Sequence, residues 1–460
     1  MIDNPISRRS FIKGLGASAA TFSILPSRIL GQTIAPSPNN RINIAIIGVG
    51  GMGAVAVNEL ADQNIVAFCD VDDRRVAAAM EEGDRSIRAS VEKNKGAKWF
   101  KDFRKMFDQM GDQIDAVAIS TPDHMHYAIA MWAIGLGKHV YVQKPLTRTI
   151  GEARRLTQAA REKGVISQMG NQGHSTDATR VIKEWIDAGV IGEVREVHWW
   201  TDRPIWPQGM ADRPNPPAGN GAIPQELDWD LWLGSAPERP YDPAYVPFNW
   251  RGWWDFGCGA LGDMGCHIMD AAYYSLNLGH PTMVDPVLTA NSREAAPNAS
   301  VITYHFPARG NMPPVKGIWY DGGLRPALPP GIPLDLEVPT NGSFIIGEKA
   351  TVFVDGWSNS VRIVPEARML ELRSTFPKRT LPRVKGGPFT EWCKAIQGGP
   401  ACGSAFDYSG PFTEVVNLGN VAIRAGRRIE WDPSTMTIPN APEANKFVDK
   451  DYEYRKGWGI

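Results

Sequence analysis

The stretch RINIAIIGVGGMGAVAVNEL, Arg41 to Leu60, constrains the fold more than any other part of the chain. Ile42 to Ile47 form a continuous apolar run, the mark of a strand buried on both faces of a parallel sheet. Gly48-x-Gly50-x-x-Gly53 follows at once and opens a helix through Leu60. Strand, glycine turn and helix in this order form the context in which such a motif holds a dinucleotide. Gly48 permits the tight turn, Gly50 lets a pyrophosphate approach the backbone, and Gly53 lets the helix pack close to the strand. The helix N-terminus then faces the phosphates. The next apolar run, NIVAFCD, ends in Asp70, about twenty residues beyond the glycines as the fingerprint requires. A carboxylate there accepts hydrogen bonds from the adenosine ribose and repels a 2′-phosphate, which favours NAD. Arg74 and Arg75 keep NADP as the lesser option.

The pattern continues. DQIDAVAIS ends at Thr121-Pro122, GKHVYVQ ends at Lys144-Pro145, and GVISQMG closes near Gln168. Strands alternating with helices predict a doubly wound parallel sheet, with ligands at the carboxyl ends of its strands. Asp70, Thr121 and Lys144 all fall at such ends. The chain has 460 residues, enough for two or three domains, and a formal net charge of −1, which gives no sign of nucleic acid as a partner. The five cysteines show no C-x-x-C spacing, so a disulfide framework is not expected, although one bridge is compatible with export.

Export is suggested by the N-terminus. In SRRSFIK, Arg8 and Arg9 are paired, Phe11 and Lys13 follow, and a mildly apolar run begins. This resembles the twin-arginine signal, which implies the twin-arginine translocation machinery as a partner and a periplasmic or otherwise exported location. Residues 1–31 read as the signal peptide and 32–41 as a Pro/Asn-rich linker. The mature chain has no apolar run of spanning length, so no membrane span is expected.

Farther on, GALGDMGCHIMD places Asp263 and His267 four residues apart, on one face of a helix, among small residues. Taken with the glycine fingerprint, Thr121-Pro122 with His126, Gly137-Lys138-His139-Val140 and Gln143-Lys144-Pro145, this pair makes the chain resemble the glucose–fructose oxidoreductase / inositol dehydrogenase (Gfo/Idh/MocA) family. The resemblance runs from about Asn43 to the C-terminus. It implies a Rossmann NAD(P)-binding domain over 42–170. A C-terminal α/β domain with an open, mainly antiparallel sheet would follow over 171–460, binding substrate and mediating dimers or tetramers. It assigns Gly48, Gly50, Gly51, Met52, Gly53 and Asp70 to the cofactor, together with Thr121, Pro122, His126, Gln143 and Lys144. Lys144 is expected beside the nicotinamide and the reacting carbinol, and Asp263 and His267 face them from the second domain. A cis peptide before Pro145 is expected as well. The family's E-K-P reads Gln143-Lys144-Pro145 here. Gln143 still forms hydrogen bonds but removes a negative charge beside Lys144, which either helps the lysine act as a base or signals an altered proton relay.

Hydride transfer from a secondary alcohol needs a base for the hydroxyl proton, and a histidine titrates in the right range. The expected activity is therefore NAD(P)-dependent oxidation or reduction of a sugar or glycoside, with Lys144, Asp263 and His267 catalytic and the cofactor tightly held. Two rival readings are a redox-neutral glycoside hydrolase or lyase on the same cofactor, and a non-catalytic dinucleotide-binding protein. Eight of the sixteen tryptophans lie between Trp199 and Trp254. Flat rings stack on sugar faces, but they serve equally as core. Trp250, Arg251 and Asp255 are the expected substrate contacts beside Asp263 and His267. His124 and His126 form an H-x-H on an expected loop, with no second cluster to complete a metal site. Glu414 and Asn417 read either as site residues or as helix packing. The tail DYEYRKGWGI could cover a pocket or a neighbouring subunit.

Overall fold

The computed structural model describes residues 40–459 apart from 82, 210–220, 291 and 451. The export signal, and all of the expected linker but its last two residues, lie outside this set. The first sheet has six strands: β1 Asn43–Ile47, β2 Asn64–Cys69, β3 Lys98–Phe100, β4 Ala116–Ile119, β5 His139–Gln143 and β6 Ser167–Gly170. Their order is β3-β2-β1-β4-β5-β6, and every pairing is parallel. β1 shows why an unbroken apolar run was needed. Ile44 and Ile46 point into one core and Ala45 and Ile47 into the other, all of them essentially inaccessible.

Seven helices position the site: α1 Met52–Glu59, α2 Asp123–Gly135, α3 Ile150–Lys163, α4 Asp177–Asp187, α5 Gly259–Ile268, α6 Gly387–Ile396 and α7 Phe406–Ala425. α3 begins with a complete capping box, Thr149 with Glu152, and ends at Gly164 in the left-handed conformation.

The second sheet has eight strands: β7 Val194–Trp200, β8 Met283–Leu288, β9 Ser300–Phe306, β10 Val315–Tyr320, β11 Gly342–Gly347, β12 Thr351–Asp355, β13 Val361–Val364 and β14 Ile429–Glu430. Their order is β13-β12-β11-β7-β10-β9-β8-β14, antiparallel except for β7 with β10. Trp199, Ile302, Tyr304 and Trp319 face a core shared with Leu261 and Met264 of α5 and Leu418 of α7. Trp200 packs instead with Phe344 and Phe353 in a separate apolar cluster. Adjacent residues of β7 thus serve different layers, as the strand period demands.

The chain does not divide cleanly at residue 170. α6 returns to cover the first sheet, where Phe389 stacks on Tyr141 with ring centroids 4.2 Å apart. The tail packs against the first domain. Arg148 donates to the Tyr452 hydroxyl at 2.9 Å, the Tyr454 hydroxyl donates to Glu152 at 3.0 Å, and the Arg104 guanidinium lies 3.9 Å over the Trp458 ring. All five cysteines are buried and unpaired, in keeping with the absence of a disulfide framework. Among the described residues no helix is long and apolar enough to cross a membrane.

Candidate active site

The glycine turn has the geometry of a cradle. Gly48 has φ +81°, and a Cβ on it would sit 2.6 Å from the Ser120 carbonyl oxygen. A Cβ on Gly53 would sit 2.0 Å from the Gly48 carbonyl oxygen, so α1 meets the turn at a distance only glycine allows. α1 starts at Met52 behind Gly51, with no side-chain cap and no acidic residue in its first turn. Gly53 N and Ala54 N bond back to the Gly50 and Gly51 carbonyls, so it is the N–H groups before them, in the turn, that can face an external anion. Asp70 sits at the rim, accepting from Val49 N at 2.8 Å and Asp72 N at 3.0 Å. Burial raises its pKa and the amide bonds oppose that rise. Each carboxylate oxygen keeps a lone pair for a ribose hydroxyl. Arg74 is held by Asp72 through two bonds of 2.8 and 2.7 Å, and the Arg75 side chain lies beside Gly50. The turn, the uncapped helix end and the placed carboxylate fit a dinucleotide.

The neighbouring strand ends are tied together by His126, with Nδ1 2.8 Å from the Pro145 carbonyl and Nε2 2.9 Å from that of Thr121. Burial pulls its pKa down to about 4, so the ring is neutral at pH 7 and donates to only one of them. The Lys144-Pro145 peptide is cis, as expected. His124 and His126 lie in the first turn of α2 rather than on a loop, because the helix starts directly after Pro122. His124 Nε2 is 3.0 Å from the Trp232 carbonyl. Among the described residues no group of His, Cys, Asp and Glu is arranged to hold a metal.

α5 brings the second domain to this point. Lys144 Nζ donates to Asp263 Oδ1 at 2.8 Å and to the Asp263 carbonyl at 2.6 Å. Lys144 thus has a carboxylate partner from the second domain, although position 143 beside it carries none. Arg251 Nε donates to Asp263 Oδ1 at 3.3 Å, and Arg203 Nε lies 4.0 Å from Oδ2. Burial would raise the Asp263 pKa, but Lys144 and then Arg251 outweigh it and hold the carboxyl well below its usual range. His267 is buried on the same helix, its ring 4.8 Å from that of Trp357. Burial, then Lys144, pull its pKa down to about 3 against the opposing pull of Asp263. Asp263 directs its carboxylate to the cations rather than to the imidazole, so His267 Nδ1 has no partner among the described residues.

That unpaired nitrogen has company. Thr121 Oγ1, both polar atoms of the Gln143 amide, Asn171 Nδ2 and Gln172 Nε2 are buried and without a partner among the described residues. They lie at the carboxyl ends of β4, β5 and β6. Buried polar groups are normally satisfied, so this set awaits a polar ligand.

Other expected residues have other partners. Trp250 is buried beneath the Arg251 guanidinium, 4.3 Å from the ring centroid. Asp255 pairs with Arg239 at 2.9 Å, not with the Lys144–Asp263 group. Glu414 is bound by Arg154, His280 and Trp431, and Asn417 donates to the Thr147 carbonyl. All eight tryptophans of the aromatic tract are buried, with Trp229 stacked on Trp232 and both packed with Tyr245 and Phe256.

Sequence reasoning passed over Asp123, Asn171, Gln172, Arg203 and Trp357. The first three stand just past strand ends, where ligands bind in this kind of sheet, so the strand-end rule pointed to them. Asp123 is buried, which pushes its pKa up to about 7 against the pull of Arg251 and Lys144. Trp357 occupies a loop tip between β12 and β13, is 46% exposed, and gave no local signal. Asp355 fixes that tip by accepting from Trp357 N at 2.9 Å and from the Ser360 hydroxyl at 2.7 Å.

Residues 42–171 match the GFO_IDH_MocA family model, described as an oxidoreductase family with an NAD-binding Rossmann fold. Residues 213–307 match the model of that family's C-terminal alpha/beta domain. Among curated proteins, levoglucosan dehydrogenase of Pseudarthrobacter phenanthrenivorans is 28% identical over 188 residues, 41% of this chain and 38% of that protein. The NADP(+)-dependent scyllo-inositol 2-dehydrogenase IolW of Bacillus subtilis is 26% identical over 62% of this chain and 69% of its own length. The chain spans less than half the length of several curated relatives it matches, 38% and 48% for two of them. Among solved structures, WlbA dehydrogenase of Bordetella pertussis with NADH and UDP-GlcNAcA superposes with a TM-score of 0.57 at 19% identity, over 85% of this chain and 99% of that one. Levoglucosan dehydrogenase with NADH and levoglucosan gives 0.55 at 18% identity, over the same shares.

Proposed function

Because this chain belongs to the Gfo/Idh/MocA oxidoreductase family, whose NAD-binding and C-terminal halves it carries in order, we propose that it oxidises or reduces one secondary carbinol or ketone of a sugar or glycoside. The observation that carries this reading is the meeting of Lys144 and Asp263 beside a neutral His267 with no partner among the described residues, where the end of β5 meets α5. NAD is the preferred cofactor, because Asp70 occupies the ribose position and Arg74 is engaged by Asp72 instead of standing free for a 2′-phosphate. The same proposal takes the protein to be an exported homo-oligomer.

The nicotinamide, when bound, supplies the acceptor or donor of the hydride. His267 is uncharged at pH 7, so it accepts the hydroxyl proton of the sugar as the carbinol is oxidised. Lys144, kept in place by Asp263, steadies the negative charge that grows on the carbinol oxygen. The levoglucosan and inositol dehydrogenases among the relatives support a polyhydroxylated ring as substrate.

The test is single-turnover chemistry with a panel of sugars and glycosides. His267→Ala and Lys144→Ala are each expected to lose about 10²–10⁴-fold in rate while retaining NAD. A keto sugar formed with one reduced cofactor supports the reading. Free sugar released with no net change in cofactor absorbance identifies a hydrolase instead. Near wild-type turnover in both variants overturns the site.

A further inference from the structure

Three cationic side chains converge on one buried carboxylate. Lys144 Nζ lies 2.8 Å, Arg251 Nε 3.3 Å and Arg203 Nε 4.0 Å from the oxygens of Asp263. Arg203 is also bonded to Asp202 through an Nη. These five side chains comprise three positive and two negative charges, so one positive charge is left over. Asp123, nearby, restores neutrality only in part at pH 7, because burial raises its pKa to about 7. A partly buried surplus charge is costly unless something pairs with it.

The surplus is built in and held in place. Arg251 is gripped by three rings, with centroids 4.3 Å (Phe248), 4.3 Å (Trp250) and 5.8 Å (Trp206) from its guanidinium carbon. It also donates to the Phe248 carbonyl at 3.2 Å. Rings on several sides and a backbone acceptor fix the plane of the guanidinium before any ligand arrives. Both arginines remain reachable, with side chains 20% exposed for Arg251 and 19% for Arg203. Hydroxyl groups alone do not call for two guanidinium forks. A carboxylate does, since each fork donates two parallel bonds to it. Lys144 already serves the carbinol oxygen, and both arginines keep N–H donors beyond those spent on Asp263, Asp202 and the Phe248 carbonyl for a second group on the substrate.

We propose that the substrate is a sugar acid, whose carboxylate is held by Arg203 and Arg251 while its carbinol lies at Lys144 and His267. This rests on the oxidoreductase reading above and names its substrate class.

The experiment uses the full chain with bound cofactor. Methyl glucuronoside, methyl glucoside and a glucose phosphate are compared by kcat/KM and, separately, by ligand-induced thermal shift. The uronoside is expected to exceed the neutral glycoside by about tenfold or more, the worth of one charge-assisted hydrogen bond. Arg251→Gln and Arg203→Gln are each expected to cut the uronoside-to-glucoside ratio about tenfold, and Arg251→Lys, which keeps the charge but loses the fork, to cut it less. The lysine variant and the Arg203 variant keep the test decisive if Arg251→Gln does not fold. A wild-type protein that prefers the neutral glycoside, or a ratio that none of the variants changes, overturns the proposal. Preference for the phosphate overturns the carboxylate assignment. Uronoside binding that depends on both arginines, without hydride transfer to any compound, supports the anion site and removes the oxidoreductase reading instead.

Discussion

Gly53→Ala and Gly50→Ala are expected to fail in different ways. A Cβ added at Gly53 would sit 2.0 Å from the Gly48 carbonyl oxygen, whereas real Cβ contacts lie beyond 3.0 Å. α1 must then back away from the turn by about 1 Å or more, against a rigid backbone atom, at a cost of about 1–3 kcal/mol of overpacking. For a chain this large that cost lowers Tm by about 1–3 °C. Because the displaced element is the one whose N-terminus receives the pyrophosphate, NAD binding falls as well. At Gly50 the nearest atoms to a Cβ belong to the Arg75 side chain, at 3.0 and 3.2 Å. The Nε can swing aside but the Cβ is fixed by the backbone and must yield by a few tenths of an ångström, so Gly50→Ala costs the free protein less stability than Gly53→Ala does. It loses NAD affinity, because the methyl fills the space above the backbone that the pyrophosphate needs. The assay is thermal melting with and without NAD, plus titration of NAD by fluorescence. A Gly53→Ala protein that melts and binds as wild type refutes the close-packing argument. A Gly50→Ala protein with unchanged NAD affinity refutes the passage of the pyrophosphate over Gly50.

Trp357→Ala is expected to raise KM for the sugar several-fold while NAD binding holds, and Trp357→Phe to recover most of it, because the exposed ring beside His267 offers a flat apolar face to the sugar. Steady-state kinetics on the two variants decide this, and equal KM values refute it. Asp123 supplies a pH test. Its folded pKa of about 7 stands above the ordinary 3.8, so its ionisation works against the folded state. Stability from this group is intact below pH 4, declines as pH rises, and is lost above pH 7, by about 4 kcal/mol at most. Asp123→Asn is therefore expected to gain on wild type in denaturant midpoint between pH 4 and 8, and parallel profiles refute this.

What could be read from sequence was what is local. The Gly48–Gly53 turn, Asp70 at the end of β2 and the Asp263–His267 spacing each depend on residues within a turn or two of one another. Partnerships over long distances could not be read. Lys144 and Asp263 are 119 residues apart, and nothing in either neighbourhood says that the two form an ion pair. Asp255 looked available because its partner, Arg239, belongs to a separate loop. The tryptophan tract was legible as aromatic but not as inward-facing. Rings suited to a sugar are equally suited to one another, and in Trp229, Trp232 and Tyr245 they chose one another. α6 left no mark of its destination, since an amphipathic helix states which face it buries but not against which sheet.

The return of α6 and the tail to the first sheet sets an order for biosynthesis. Tyr141 waits for Phe389, Glu152 for Tyr454 and Arg104 for Trp458. The nucleotide-binding half is the first to leave the ribosome, yet its outer layer is translated last. A nascent chain halted before α6 presents Tyr141 and the adjoining face of β5 and β6 to water, a sticky surface for chaperones or for other copies. The nucleotide-binding half is thus finished only by segments encoded far downstream of its own strands.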